Sequence, residues 1–185
     1  MKNDKITLPF TERVWRYGWP AIFLHWVLAL LIAALAGLGW YMMSIEEEPN
    51  SGWYFDLHKS FGIVAFALVL LRVWWRSKHR PAALPASLPQ WQVKVSSVTQ
   101  WSLYACMVLM PLTGFIGASY SKKGAVFFGL KVPAWEIPNH DMAEQFFSVH
   151  SVLVWVLVSL VALHAAAGLK HVLMDKDGVF QRMWF

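Results

Sequence analysis

Residues 145–169 read QFFSVHSVLVWVLVSLVALHAAAGL, and no formally charged side chain lies between Glu144 and Lys170. As a helix that rises about 1.5 Å per residue, this stretch is long enough to cross the roughly 30 Å hydrocarbon core of a bilayer. His150 and His164 lie fourteen positions apart within it, which places them nearly on one helix face and about 21 Å apart along the axis. A histidine inside a membrane is costly unless it faces the protein interior and has a partner. The stretch therefore predicts a membrane span with two stacked sites, one near each side.

The composition of the whole chain also favours a membrane protein. Of its 185 residues, 57% are hydrophobic and only 15% are charged, which does not suit an ordinary soluble fold. The long apolar runs predict one membrane domain over residues 1–185, an all-α bundle of four transmembrane helices. The predicted spans are about 20–43, 57–75, 95–119 and 147–170. The second span carries Lys59 near its start and Arg72 near its end, positions from which long side chains can reach the interface.

The basic residues predict the orientation of the spans. The formal net charge of +5 does not indicate nucleic-acid binding, because the Lys and Arg residues cluster at helix ends and do not follow one soluble face. One group lies in the two chain ends and the connector between the second and third spans: Lys2, Lys5, Arg13, Arg16, Arg76, Lys78, Arg80, Lys94, Lys170, Lys176 and Arg182. A smaller group lies on the opposite side: Lys59, Lys122, Lys123 and Lys131. This asymmetry predicts a multi-pass protein with both termini in the cytoplasm.

Four histidines lie within or at the ends of the predicted spans. Because consecutive spans run in opposite directions, His25 and His164 lie near the cytoplasmic face, whereas His58 and His150 lie near the external face. Two pairs at two depths suit bis-imidazole ligation of two haem irons, with one neutral imidazole on each side of each iron. Two alternatives stay open, namely that these are hydrogen-bonded structural residues or that a pair binds zinc. A histidine pair without a nearby carboxylate or thiolate is a poor zinc site.

Residues near these histidines support a flat cofactor. Gly62 follows His58 by four positions, one turn along the same face, where the missing side chain leaves room for a macrocycle. Arg72 follows His58 by fourteen positions and so lies at the depth of the cytoplasmic pair. Its guanidinium could bind a haem propionate, the alternative being that it only reaches for the interface. Lys59 could serve the external haem in the same way.

Several stretches together carry a resemblance to a known family. They are RYGWPAIFLHWVLAL (16–30), LHKSFGIVAFALVLLRVWWR (57–76), FFGLKVP (127–133) and SVLVWVLVSLVALHAAAGLKHVLMDKDGVFQRMW (151–184). In these elements the chain resembles the prokaryotic cytochrome b561 family. The resemblance implies a four-helix bundle that encloses two b-type haems in the bacterial inner membrane, with His25, His58, His150 and His164 as the axial ligands. It also implies electron exchange with membrane quinone, and some members are superoxide oxidases that pass electrons from superoxide to ubiquinone.

The chain departs from the family pattern at Gln100, where many members carry a histidine at the head of the third span. Four ligands remain, so this departure affects a role in quinone or proton handling and not haem binding.

Three functional hypotheses follow. The first is a transmembrane oxidoreductase that takes electrons from a periplasmic donor and exchanges them with the quinone pool, with ubiquinone as its substrate and membrane lipid around it. The second is a cytochrome b membrane-anchor subunit of a hydrogenase- or dehydrogenase-type complex. The third is a haem-free transporter or structural bundle, which the lack of any inverted repeat disfavours. The oligomeric state stays open.

Overall fold

The computed structural model describes residues 16–79, 84, 88–133 and 137–185. Four long helices dominate it: α1 (Trp19–Ser44), α2 (Ser51–Lys78), α3 (Gln90–Tyr120) and α4 (His140–Lys170). All four are long and apolar enough to cross a membrane. The predicted all-α bundle of four spans is therefore confirmed. Four basic residues used in the orientation argument, Lys2, Lys5, Arg13 and Arg80, lie outside the described residues.

The helices are longer than the predicted spans. α2 begins at Ser51 and α4 at His140, six and seven positions before the predicted starts at 57 and 147. The prediction counted only the apolar part of each run, whereas a helix continues into water while its backbone hydrogen bonds are satisfied. Local sequence sets the ends. Pro20 occupies the first turn of α1, and the Asn139 side chain accepts a hydrogen bond from the Met142 backbone N–H (3.1 Å) at the start of α4.

Glycines let α3 and α4 approach each other closely. A Cβ added at Gly114 would lie 3.0 Å from the ring of His150, and one added at Gly117 would lie 2.8 Å from the ring of Phe147. Both distances are shorter than ordinary carbon contacts, so no larger residue fits at either position without a shift. Small residues at helix interfaces are the usual means of close packing in membranes, where apolar burial alone does not drive association.

The outside of the bundle is apolar, as expected of a surface that faces lipid. Large side chains such as Trp19, Leu30 and Trp155 are exposed, whereas the interior cluster is small and centred on Leu103 and Leu157. A soluble protein of this size would bury most such side chains. The distribution agrees with the four candidate membrane spans.

A short β-hairpin covers one end of the bundle. Strands β1 (Val126–Phe127) and β2 (Leu130–Lys131) pair antiparallel, and both residues of the intervening turn, Phe128 and Gly129, adopt positive φ (45° and 86°). This left-handed backbone is the geometry that two-residue hairpins favour. The hairpin is fixed to α2 because the Phe128 N–H donates to Ser60 Oγ (2.8 Å). We call this side of the bundle the hairpin end.

The opposite side carries both described chain ends and is called the termini end. After α4 the chain makes a π-helical turn (His171–Asp175) and a 3₁₀ turn (Phe180–Met183). The second turn packs against the start of α1. There the Tyr17 N–H donates to the Arg182 carbonyl (3.2 Å), and Trp26 Nε1 donates to the Met183 carbonyl (2.8 Å). The chain thus closes on itself at the termini end.

We predict that Gly117→Ala destabilises the bundle by about 1–3 kcal/mol, because the added methyl group overlaps the Phe147 ring and pushes α3 from α4. Thermal unfolding of the detergent-solubilised protein measures the effect. Gly37→Ala is the matched control, since a Cβ at Gly37 meets no atom within 4 Å. Equal unfolding temperatures for the two variants would contradict this account of the α3–α4 contact.

Candidate haem site

Two histidine pairs face the interior, and α4 contributes one ring to each. At the termini end, His25 on α1 and His164 on α4 have ring centroids 6.1 Å apart. At the hairpin end, His58 on α2 and His150 on α4 have ring centroids 6.2 Å apart. The structure therefore brings together the histidines that the sequence pairs by depth.

The ring separations fit one metal ion between the members of each pair. An imidazole nitrogen lies about 2.0–2.1 Å from a bound metal, so two rings on opposite sides of one ion have centroids roughly 6 Å apart. A hydrogen bond from one ring to the other is absent from both pairs among the described residues.

A single large cavity connects the two pairs. Its volume is about 2390 Å³, and all four histidines line it. Pockets for single small molecules usually measure about 300–1,000 Å³, so the space exceeds what one ordinary ligand occupies. Gly62 also lines it, and a Cβ added there would meet no atom within 4 Å. The cavity is thus large enough for flat macrocycles beside both pairs.

The backbone of α3 orients the His150 ring. His150 Nδ1 lies 2.8 Å from the Met110 carbonyl oxygen, which can only accept, so Nδ1 carries the proton and donates. Nε2 then keeps its lone pair, as a metal ligand requires. Gly114, one turn after Met110, leaves the space in which the ring lies. The sequence did not indicate this role of α3, because its own span contains no histidine.

The His58 ring is positioned differently. Its Nδ1 atom is buried and makes no hydrogen bond of normal geometry to a described residue. A Cβ at Gly39 would lie 3.3 Å from the ring, so the missing side chain lets the His58 ring pack against α1.

Arg72 lies beside the termini-end pair, at the depth that the sequence predicts. Its Nη1 donates to the Ala21 carbonyl (2.8 Å), and its Nη2 lies 3.4 Å from His25 Nδ1. A guanidinium can only donate, so His25 Nδ1 accepts in this arrangement. If Nε2 of His25 binds a metal, Nδ1 carries the proton and Arg72 needs another acceptor. A carboxylate of the cofactor is the natural replacement.

Lys59 is directed toward the hairpin. Its Nζ lies 3.3 Å from an Asp56 carboxylate oxygen and donates to the Gly124 carbonyl (3.1 Å). It also lines the cavity. The sequence prediction did not foresee the Asp56 partner, which comes from three positions earlier on the same helix.

Gln100, the position that departs from the family pattern, belongs to a polar network at the termini end. It accepts a hydrogen bond from Arg76 Nη2 (3.1 Å) and donates to Ser96 Oγ (3.0 Å). The Arg76 guanidinium also lies over the Tyr104 ring, 5.4 Å from its centroid. The R-x-x-x-R spacing of Arg72 and Arg76 is the one sequence signal that could have placed this network near the cavity.

The fold and the donor set define a class of protein, a membrane-embedded electron-transfer cytochrome. The model of the prokaryotic cytochrome b561 family matches residues 16–185, nearly the whole chain. The chain belongs to this family, whose members bind b-type haem.

Curated relatives agree with this assignment. The chain is similar to "Cytochrome b561 homolog 2" of Escherichia coli (strain K12), with 29% identity over 181 residues and 95% of each chain covered. It is also similar to "Cytochrome b561 homolog 1" of the same organism, with 27% identity over 91% of this chain and 96% of the relative. "Probable superoxide oxidase CybB" of Yersinia pestis is 27% identical over 91% of this chain and 95% of the relative.

We predict that Gly62→Leu lowers the haem content of the purified protein, because the new side chain extends into the cavity one turn from His58. The ratio of haem to protein, from a pyridine haemochrome assay, measures the loss. Gly37→Leu is the matched control, since this membrane-spanning glycine is exposed and does not line the cavity. Full haem content in Gly62→Leu would mean that the cofactor lies elsewhere.

Proposed function

We propose that this chain is a transmembrane di-haem b protein that exchanges electrons with the membrane quinone pool. His58 and His150 bind one haem, and His25 and His164 bind the other. The observation that carries the proposal is the pair of ring separations, 6.2 and 6.1 Å, at the two ends of one cavity. Bound haem supplies a one-electron iron couple at each position.

The side chains around the cavity have distinct roles in this proposal. Two imidazoles would hold each haem, those of His58 and His150 at the hairpin end and those of His25 and His164 at the termini end. The Met110 carbonyl keeps the metal-binding nitrogen of His150 deprotonated. Arg72 and Lys59 take the propionates at the termini end and the hairpin end, respectively. The apolar helices exclude water and bulk ions from the space between the two sites.

The direction of the chain in the membrane follows from its basic residues. Lys and Arg predominate at the termini end, which we assign to the cytoplasm by the positive-inside rule. The hairpin end then faces the periplasm of a bacterial inner membrane. A periplasmic electron donor therefore reaches the His58–His150 site before the His25–His164 site.

Superoxide is the donor that we propose, with ubiquinone as the acceptor. The similarity to a relative named as a superoxide oxidase supports this finer activity. Lys59, Lys122 and Lys123 line the cavity at the hairpin end and offer an anion local cationic contacts, while Glu46 and Glu144 offset much of the net charge there. Two superoxide anions each lose one electron and become dioxygen. One ubiquinone takes both electrons and two protons and becomes ubiquinol.

We predict two haems per chain and a pairwise loss on mutation. His25→Ala and His164→Ala should each remove the same haem, and His58→Ala and His150→Ala should each remove the other, because each pair shares one iron. Haem stoichiometry and low-temperature reduced-minus-oxidised spectra distinguish the two haems. His140→Ala is the control, since the His140 side chain is 78% exposed. Loss of different haems within one pair would disprove the pairing.

We predict that superoxide reduces the haems of the purified protein and that a soluble ubiquinone analogue reoxidises them. Stopped-flow absorbance of the haem bands follows both steps, and superoxide dismutase should abolish the first. If neither step occurs and a soluble subunit copurifies in stoichiometric amount, the membrane-anchor hypothesis replaces this activity. Two bound haems with rapid quinone exchange but no response to superoxide would refute only the choice of donor.

A further inference from the structure

Charged side chains are distributed unequally along the cavity. At the termini end its lining includes four cations, Arg72, Arg76, Lys170 and Arg182, and no described Asp or Glu. Lys170 pairs with Asp175, which lies outside the lining, so the arginines carry the excess positive charge there. At the hairpin end the lining contains lysines together with acidic side chains, so the charges of opposite sign largely offset each other. The two histidine pairs therefore lie in different electrostatic surroundings.

Arg72 is the cation that acts most directly on a histidine pair. Its Nη2 lies 3.4 Å from His25 Nδ1, and its charge interacts with both His25 and His164. It projects from within a membrane-spanning helix, and no described carboxylate pairs with it. A guanidinium remains charged at all ordinary pH values. Its field is strong there because the effective dielectric constant of a protein interior is far below that of water.

Among the described residues, no comparable cation acts on the hairpin-end pair. His150 Nδ1 binds a neutral carbonyl, that of Met110. Lys59 follows His58 in the sequence, but its ammonium group pairs with Asp56, which cancels much of its field. The described residues thus place an uncompensated positive charge beside one pair only.

A fixed positive charge stabilises a metal centre that gains an electron. The propionates of two identical haems add the same negative charge at each site, so the difference between the sites comes from the protein. We propose that Arg72 gives the His25–His164 haem the higher reduction potential, so that electrons entering at the hairpin end move energetically downhill to the termini end. This inference rests on the proposed function, since it needs two haems. In the step, ferrous iron at the hairpin end is oxidised, ferric iron at the termini end is reduced, and one electron moves without any change in bonds.

The order of the two potentials is tested with single-haem variants. His150→Ala keeps the termini-end haem and His25→Ala keeps the hairpin-end haem. Redox titrations followed in the haem absorption bands give each midpoint potential. The haem that remains in His150→Ala should have the higher potential. An equal or reversed order overturns the inference.

The role of Arg72 is tested in the full protein. Arg72→Gln should lower the higher potential and change the distribution of an electron between the two haems at least tenfold, which corresponds to 59 mV for a one-electron couple. Arg72→Lys keeps the charge and should recover most of this difference. Lys59→Gln is the control at the hairpin end and should shift the distribution less than threefold, because Asp56 already offsets its charge.

The possible results separate this inference from the proposed function. Equal shifts of both potentials in Arg72→Gln, or no shift, would overturn the role of Arg72 while leaving the di-haem assignment intact. If Arg72→Gln loses a haem, the double variant with Arg72→Lys and His150→Ala replaces it. The potential of its termini-end haem should exceed that of the hairpin-end haem, and a lower value overturns the inference. Purified wild-type protein with fewer than two haems would refute the proposed function itself.

Discussion

The placement of two histidines on one face of α4 is the constraint on which the rest of the structure depends. Because they lie fourteen residues apart on one helix, His150 and His164 reach two different depths of the bundle. Each needs a partner at its own depth, and α2 and α1 supply one each. Since consecutive spans run in opposite directions, His150 near the start of α4 pairs with His58 near the start of α2. His164 near the end of α4 pairs with His25 near the start of α1.

The bundle must be open around these pairs and closed elsewhere, and small residues serve both needs. Gly114 and Gly117 allow α3 to contact α4 so closely that the Met110 carbonyl reaches His150. Gly62 has the opposite effect, because its missing side chain enlarges the cavity. α3 thus contributes no histidine but supplies the hydrogen-bond acceptor that orients His150. Without this acceptor the imidazole could rotate and present the wrong nitrogen.

The two ends of the bundle differ in what covers them and in charge. The hairpin end is covered by a β-turn that Ser60 attaches to α2, and its lysines lie among carboxylates. The termini end is closed by the 3₁₀ turn that binds Trp26, next to His25 in the chain. Among the described residues, the charged side chains that line the cavity at this end are all basic. In the proposed orientation, the basic residues that direct insertion into the membrane also surround the histidine pair at the termini end.

The sequence by itself determined the four spans, the family and the depth of each histidine. The spans and the positions of the histidines along them follow from apolar run length and helical rise, which depend only on neighbouring residues, whereas the family follows from several sequence motifs taken together. The family motifs carried the expectation of haem, and the assignment of ligands to His25, His58, His150 and His164 stays a prediction with a favourable geometry.

Only the tertiary structure decided the ring separations, the bond from His150 to Met110, the contact of Arg72 with Ala21 and His25, and the network from Arg76 to Gln100. Each of these joins residues on different helices, or far apart in the chain, and depends on how the helices rotate and approach one another. No local pattern contains that information, because helix rotation is set by side-chain packing across the whole bundle.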